Sequence, residues 1–239
     1  MRYFFSLLTS LFLILPISSG ELASTLDQNL SGVMTKVTDW RHHFHQYPEL
    51  SNREFKTQKS ISEALIEMGL EPNTSYGKTG VTAFIRGQNP GPLIALRADI
   101  DGLPVTEKLN LPFSSKERTN YQGNDVGVMH ACGHDAHIAT LLGVASFLSQ
   151  NTDKLDGDIL LIFQPAEEGA PEGEEGGAEL MLKEGLFEAE KPDAIFGMHV
   201  SNAEHGQLWT RPGPMMASAE AFRITVEGKQ THGSRPWNG

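Results

Sequence analysis

The chain has 239 residues, enough for one large or two small domains with a real core, and its 21% charged and 39% hydrophobic residues fit neither a disordered chain nor a multispan membrane protein. Asp and Glu number 30 against 19 Lys and Arg, and the resulting charge of −11 argues against nucleic acid as the main partner while suiting metal cations or small substrates. A single cysteine excludes an intramolecular disulfide framework and cysteine-rich zinc fingers.

Residues 1–20 have the layout of an export signal: Arg2, an apolar run over 3–17, then Ser18, Ser19 and Gly20. The run is shorter than the about 20 residues of a membrane span, so no stable membrane anchor is expected. The mature protein is expected to be exported, periplasmic or secreted. Residues 33–47 read as a helix stopped by Pro48. Ser51 to Glu54 has capping-box spacing, and Phe55, Ile61, Leu65 and Met68 then recur at helical intervals up to Gly69. Residues 81–86 and 93–98 are short β-type runs separated by a turn-rich link at 87–92. Residues 136–148 form an apolar helix, 158–163 an apolar run expected of a strand covered on both faces, and 178–183 a further helix. Residues 194–198 are another buried-strand candidate, and 219–227 alternate like a strand after the Pro/Gly punctuation at 211–214. Strands alternating with helices predict an α/β fold, a mostly parallel sheet with helices on both faces.

Candidate chemistry falls at the strand ends. Met129 to His137 reads MHACGHDAH, which places Cys132, His134 and two further histidines within a few residues. Thiolate and imidazole are ligands for borderline-soft metals, and a turn through Gly133 can bring Cys132 and His134 to one ion. Glu167 and Glu168 follow the 158–163 strand, where open α/β sheets place ligands. Neighbouring carboxylates point different ways, so one can hold a metal while the other faces a water, the division a hydrolase needs. His199 ends the 194–198 run, and Asp99 and Asp101 end the 93–98 run on one face, placed to orient a ligand. Gly77-Lys78-Thr79 fails phosphate-loop spacing, because Pro72 stands where Gly is required, and neither H-E-x-x-H nor G-x-S-x-G is present. The histidines at 42, 43 and 45 are read as a largely solvent-facing helical cluster without chemistry.

This set of motifs resembles the M20 metallopeptidases, in particular the amidohydrolase branch with hippurate hydrolases, N-acyl-amino-acid amidohydrolases and indole-acetyl-amino-acid hydrolases. The resemblance runs from about Trp40 onward. It is carried by HQYPELS from His45, LRADIDGLP from Leu96, MHACGHDAH, FQPAEEG from Phe163, GMHV from Gly197 and THGSRP from Thr231. It implies a zinc-peptidase-like catalytic domain over 21–213 and, over 214–239, the start of a smaller α+β lid or dimerisation domain. It also implies two divalent metal ions (Mn, Zn, Ni or Co), with Cys132, His134, Glu168 and His199 at ligand positions. Glu167 matches the general acid/base, Asp101 an aspartate that orients a ligand, and His232 a lid-domain histidine that reaches an active site. The implied substrate is an N-acyl amino acid or short peptide, and the implied full-length form a homodimer.

In the implied reaction Glu167 takes a proton from water and delivers it to the leaving amine, while His232 polarises the carbonyl oxygen. Family members continue well beyond the equivalent of Gly239 and supply a further ligand histidine there. The rival reading is therefore an inactive truncated remnant or metal-binding fragment of such an enzyme. Export predicts a mature N-terminus between Glu21 and Thr25. N-terminal sequencing of the exported protein checks this, and an intact Met1 in the cytosol excludes it.

Overall fold

A computed structural model describes residues 19–218, 222, 224, 225 and 227–239. The expected export signal lies outside the described residues except for Ser19 and Gly20, which open a helix. The strand expected over 219–227 lies outside them in its greater part. The chain divides into two units, Met1–Val200 and Ser201–Gly239, ahead of the boundary expected at 213.

In the first unit, helices α1 (Ser19–Gln46) and α2 (Phe55–Glu67) precede strands β1 (Val81–Arg86) and β2 (Asn89–Asp99). A hairpin of β3 (Arg118–Tyr121) and β4 (Asn124–Gly127) follows, then α3 (His134–Leu148), β5 (Asp156–Gln164), α4 (Gly177–Lys183) and β6 (Ala194–Gly197). The main sheet has the order β1-β5-β2-β6. β2 runs parallel to both β5 and β6, and β1 is antiparallel to β5. The mostly parallel α/β sheet is thus observed, with one antiparallel edge.

β5 is central, and its continuous apolar run has a direct cause. Leu161 and Phe163 pack into a core shared with Phe44 of α1, Ile61 and Leu65 of α2, and Ile138 and Leu142 of α3. Leu160 and Ile162 point the other way and pack with Ala95 and Met181 of α4. With both faces covered, strand periodicity leaves no polar position.

Several expectations are corrected. α1 starts well before residue 33: Leu22, Leu26, Leu30, Val33 and Val37 continue a spacing of three and four along its α3-facing side. A Cβ on Gly143 of α3 would strike Val37, so glycine permits this close approach. α2 starts at Phe55, and its N-cap, Glu54, makes no side-chain capping bond. Glu49 does that work instead, its Oε2 accepting the Thr57 amide at 2.9 Å and hydroxyl at 3.1 Å. The 87–92 link belongs partly to β2, which joins β5 through an irregular register between Asn89 and Leu93. β6, expected to be buried, is an edge strand pairing only with β2 among the described residues, and Ile195 and Phe196 are exposed. An apolar run alone does not distinguish a central strand from an edge one.

In the second unit, the described residues form one regular element, a 3-10 turn at Pro236–Asn238. Among the described residues, no helix is long and apolar enough to cross a membrane. The layering predicts that Leu161→Ala destabilises the fold by about 2–5 kcal/mol, whereas Ile195→Ala stays within about 0.5 kcal/mol. Urea unfolding of the two variants checks the contrast, and equal effects exclude the assignment of β5 as the covered strand.

Candidate active site

Because β2, β5 and β6 are parallel, their C-terminal ends open at the same edge of the sheet. β2 leads to Asp101, β5 to Glu167 and Glu168, and β6 to His199. The N-terminus of α3 enters between them. Its N-cap, Gly133, has φ 87°, a left-handed conformation suited to glycine, and a Cβ there would strike Val200. This turn lets residues two apart converge. Donor atoms of Cys132, His134 and His199 lie within 4.8 Å of one another, as do those of His134, Glu167 and Glu168. Cys132 Sγ is 3.4 Å from His199 Nε2, and His134 Nε2 is 3.8 Å from a carboxylate oxygen of each glutamate.

The imidazoles are held in a defined tautomer. His134 Nδ1 donates to the Asp101 carbonyl at 2.8 Å, and His199 Nδ1 to the Val200 carbonyl at 2.7 Å. A carbonyl can only accept, so Nδ1 carries a proton in each ring and Nε2 is the nitrogen left for another partner. His134 Nε2 is buried and has no hydrogen-bond partner. A thiol, two Nε2 lone pairs and two carboxylates sharing one opening form a donor set that fits divalent transition metals. Burial, the hydrogen bond to Glu168 and the charges of Glu168, Glu167 and Asp99 push the Cys132 thiol up to about 12.

Asp101 ties the parts together. Its Oδ2 accepts the Ser51 hydroxyl at 2.7 Å and the Glu168 amide at 3.0 Å. Burial pushes its pKa up, but bonds from His134, Ser51 and the Glu168 amide outweigh this, and the carboxyl stays below its ordinary value.

Other histidines of the motifs have different fates. His137 donates Nδ1–H to Asp99 at 2.5 Å and accepts the Val200 amide on Nε2 at 2.9 Å, so both nitrogens are occupied. Burial acts to raise the pKa of Asp99, but the His137 bond and the neighbouring charges of His134 and Arg97 bring it down to about 2. His130 is buried, neither ring nitrogen has a partner, and burial pushes it down to about 4.

His232 lies in the second unit, exposed, with Nδ1 2.9 Å from Ser234 Oγ. His45, read from sequence as part of a solvent-facing cluster, is buried: its ring bridges Asp135 at 2.9 Å and Glu107 at 3.4 Å. The bond to Asp135 raises its pKa against the opposing effect of burial. Its place in the HQYPELS segment was the available signal. Glu54, also missed, is wholly buried. Its Oε2 accepts the Thr79 hydroxyl at 2.6 Å, and its Oε1 the Ala166 amide at 2.9 Å.

Residues 95–238 match Peptidase family M20/M25/M40. The chain belongs to that family. It is 44% identical over 217 residues to thermostable carboxypeptidase 1 of Saccharolobus solfataricus, covering 88% of this chain and 52% of that protein. It is 43% identical over 217 residues to N-acetyl-L-cysteine deacetylase of Bacillus subtilis, covering 90% and 47% respectively. The chain thus spans about half the length of these relatives. The crystal structure of the Bacillus subtilis YXEP protein, described as a dinuclear metal-binding M20 peptidase, matches with a TM-score of 0.62 and 42% identity, over 72% of this chain and 44% of that one. The M20 amidohydrolase resemblance is therefore borne out.

Glu54 gives this M20 chain a pH-dependent term in its stability. Burial pushes its carboxyl from an ordinary 4.5 up to about 7, against the Thr79 and Ala166 hydrogen bonds. The folded state then holds a proton that the unfolded chain releases near 4.5. That contribution is fully present below about 4.5 and lost as pH rises through about 7. The melting temperature of Glu54→Gln relative to wild type is expected to rise between pH 5 and pH 8; a constant difference excludes the shift.

Proposed function

We propose that this chain forms the catalytic part of a metal-dependent hydrolase that cleaves the amide bond of N-acyl amino acids or short peptides. The observation that supports this most is the convergence of Cys132, His134 and His199, both imidazoles presenting Nε2, beside the Glu167–Glu168 pair. The names of the deacetylase and carboxypeptidase relatives support the substrate class.

Cys132, His134, Glu168 and His199 are the residues that would hold two divalent ions, with Mn, Zn, Ni and Co as candidates. Bound there, such ions supply Lewis acidity and lower the pKa of water toward neutrality. Glu167, exposed at the mouth of the site, takes the water proton on its carboxylate and passes it to the leaving amine nitrogen. Asp101 keeps His134 in the Nδ1–H tautomer through its carbonyl and fixes the Glu168 backbone through its carboxylate. In the same reading, residues 214–239 begin a lid or dimerisation domain and His232 polarises the substrate carbonyl. The full-length form is a homodimer, and the protein is exported.

In a hydrolytically active form, Glu167→Gln is expected to retain metal and to lose roughly 10²–10⁴-fold in kcat. Glu168→Gln is expected to lose metal affinity as well, and Cys132→Ala to lose one or both ions. Elemental analysis and turnover of N-acetyl- and N-benzoyl-amino acids check this. Full metal content in Cys132→Ala refutes the ligand set, and metal loss confined to the Glu167 variant exchanges the two glutamate roles.

A further inference from the structure

Glu54 belongs to none of the motifs of the proposed chemistry, yet its side chain enters the turn that carries Glu167 and Glu168. The turn is conformationally demanding. Ala166 has φ 50°, a left-handed backbone that an alanine keeps only when its surroundings hold it. Two carboxylates bracket it. Glu54 Oε1 accepts the Ala166 amide at 2.9 Å, and Asp101 Oδ2 accepts the Glu168 amide at 3.0 Å, so the residue between them, Glu167, sits on a backbone pinned from both sides. Glu54 is itself held by the Thr79 hydroxyl at 2.6 Å, and Glu54 and Thr79 are both fully buried. A wall formed by Gly176 and Gly177 closes the other side: a Cβ on Gly176 would lie 3.1 Å from Ala166 Cβ, and one on Gly177 3.0 Å from the Ala166 carbonyl oxygen.

A plainer role for Glu54 would be to cap α2, where it stands at the N-cap. It makes no such bond, and Glu49 supplies the cap. A buried carboxylate at a helix start that leaves its own helix to another residue and reaches across to Ala166 is committed to that turn.

We propose that Glu54 is a positioning residue that sets the aim of Glu167 and Glu168 by holding the Ala166 amide. This rests on the reading of those two glutamates as general base and metal ligand. The carboxyl pushed up to about 7 is consistent with a neutral side chain serving as well, because the hydrogen-bonding oxygen matters rather than the charge. Glutamine keeps an oxygen for Ala166 and offers an NH2 to the Thr79 hydroxyl, which rotates to accept it.

The test compares Glu54→Ala and Glu54→Gln by amide hydrogen exchange over residues 166–169, metal content, and kcat and KM on N-acetyl-amino acids. Glu54→Ala is expected to exchange at least about tenfold faster at Ala166 and to lose about tenfold or more in kcat. Its metal content should be kept, and its KM should stay within about threefold of wild type. Glu54→Gln is expected to restore exchange and kcat to within about threefold of wild type. Wild-type exchange in Glu54→Ala, or a glutamine variant as impaired as the alanine one, overturns the proposal. If Glu54→Ala does not melt cooperatively, Thr79→Val decides: faster exchange at Ala166 supports the proposal and unchanged exchange overturns it. A wild-type protein that binds no metal and hydrolyses no N-acyl amino acid brings down the functional reading, while the exchange arm still decides whether Glu54 holds the turn.

Discussion

A carboxylate removed from solvent depends on the donors that reach it, and the donors gathered on Oδ2 of Asp101 set the geometry around it. It gathers the Ser51 hydroxyl from the segment before α2 and the Glu168 amide from the turn after β5. Through its carbonyl it also gathers the His134 ring from the start of α3. Asp101 thus joins a segment 50 residues before it to one 67 residues after it at one side chain and its own backbone. The ionised state that these neighbours favour is also the state whose Oδ2 accepts from both Ser51 and Glu168, so the electrostatics and the geometry reinforce one another.

The parts of this arrangement that follow from local rules were legible in the sequence. The run at 158–163 signalled a strand covered on both faces, Gly133 signalled a turn able to bring Cys132 and His134 together, and the acidic pair after the strand signalled a ligand-binding edge. What escaped was decided by partners far along the chain. Ser51 and Glu54 have the spacing of a capping box, yet Ser51 donates to Asp101 and Glu54 accepts from Thr79 and Ala166. His45 sits on a helix whose neighbouring histidines are less buried, and its partner Asp135 is 90 residues away. In both cases the local pattern was real, and tertiary demand redirected the side chains, as expected near a functional site.

The same demand shows in the charge distribution. Burial raises the thiol of Cys132 most, and Glu168, Glu167 and Asp99 add to its effect. A chain selected for stability alone would not place three carboxylates around one thiol, because each raises the cost of ionising the next. Arg97 offsets part of this, lying 2.6 Å from Asp99, but it sits on the β2 side and leaves Glu167 and Glu168 without a cationic side chain in hydrogen-bond contact among the described residues. The unbalanced charge therefore faces the opening, where a cation from solution can reach it.

The histidines show how narrowly the outcome is set, since one residue type takes four states in one unit of the fold. What decides each is the group that meets its second nitrogen. His134 and His199 each give their Nδ1 proton to a carbonyl, which leaves Nε2 as the nitrogen nearest the other candidate ligands. His137 meets a carboxylate on one side and an amide on the other, and its capacity is used up in tying the end of β6 to β2. His45 meets two carboxylates, which favour its protonated form. His130 has no hydrogen-bond partner on either ring nitrogen, and burial favours its neutral form. A motif that counts histidines cannot separate these cases. The backbone carbonyls of Asp101 and Val200, which no side-chain motif records, are what select the two whose Nε2 faces Cys132 and the glutamates.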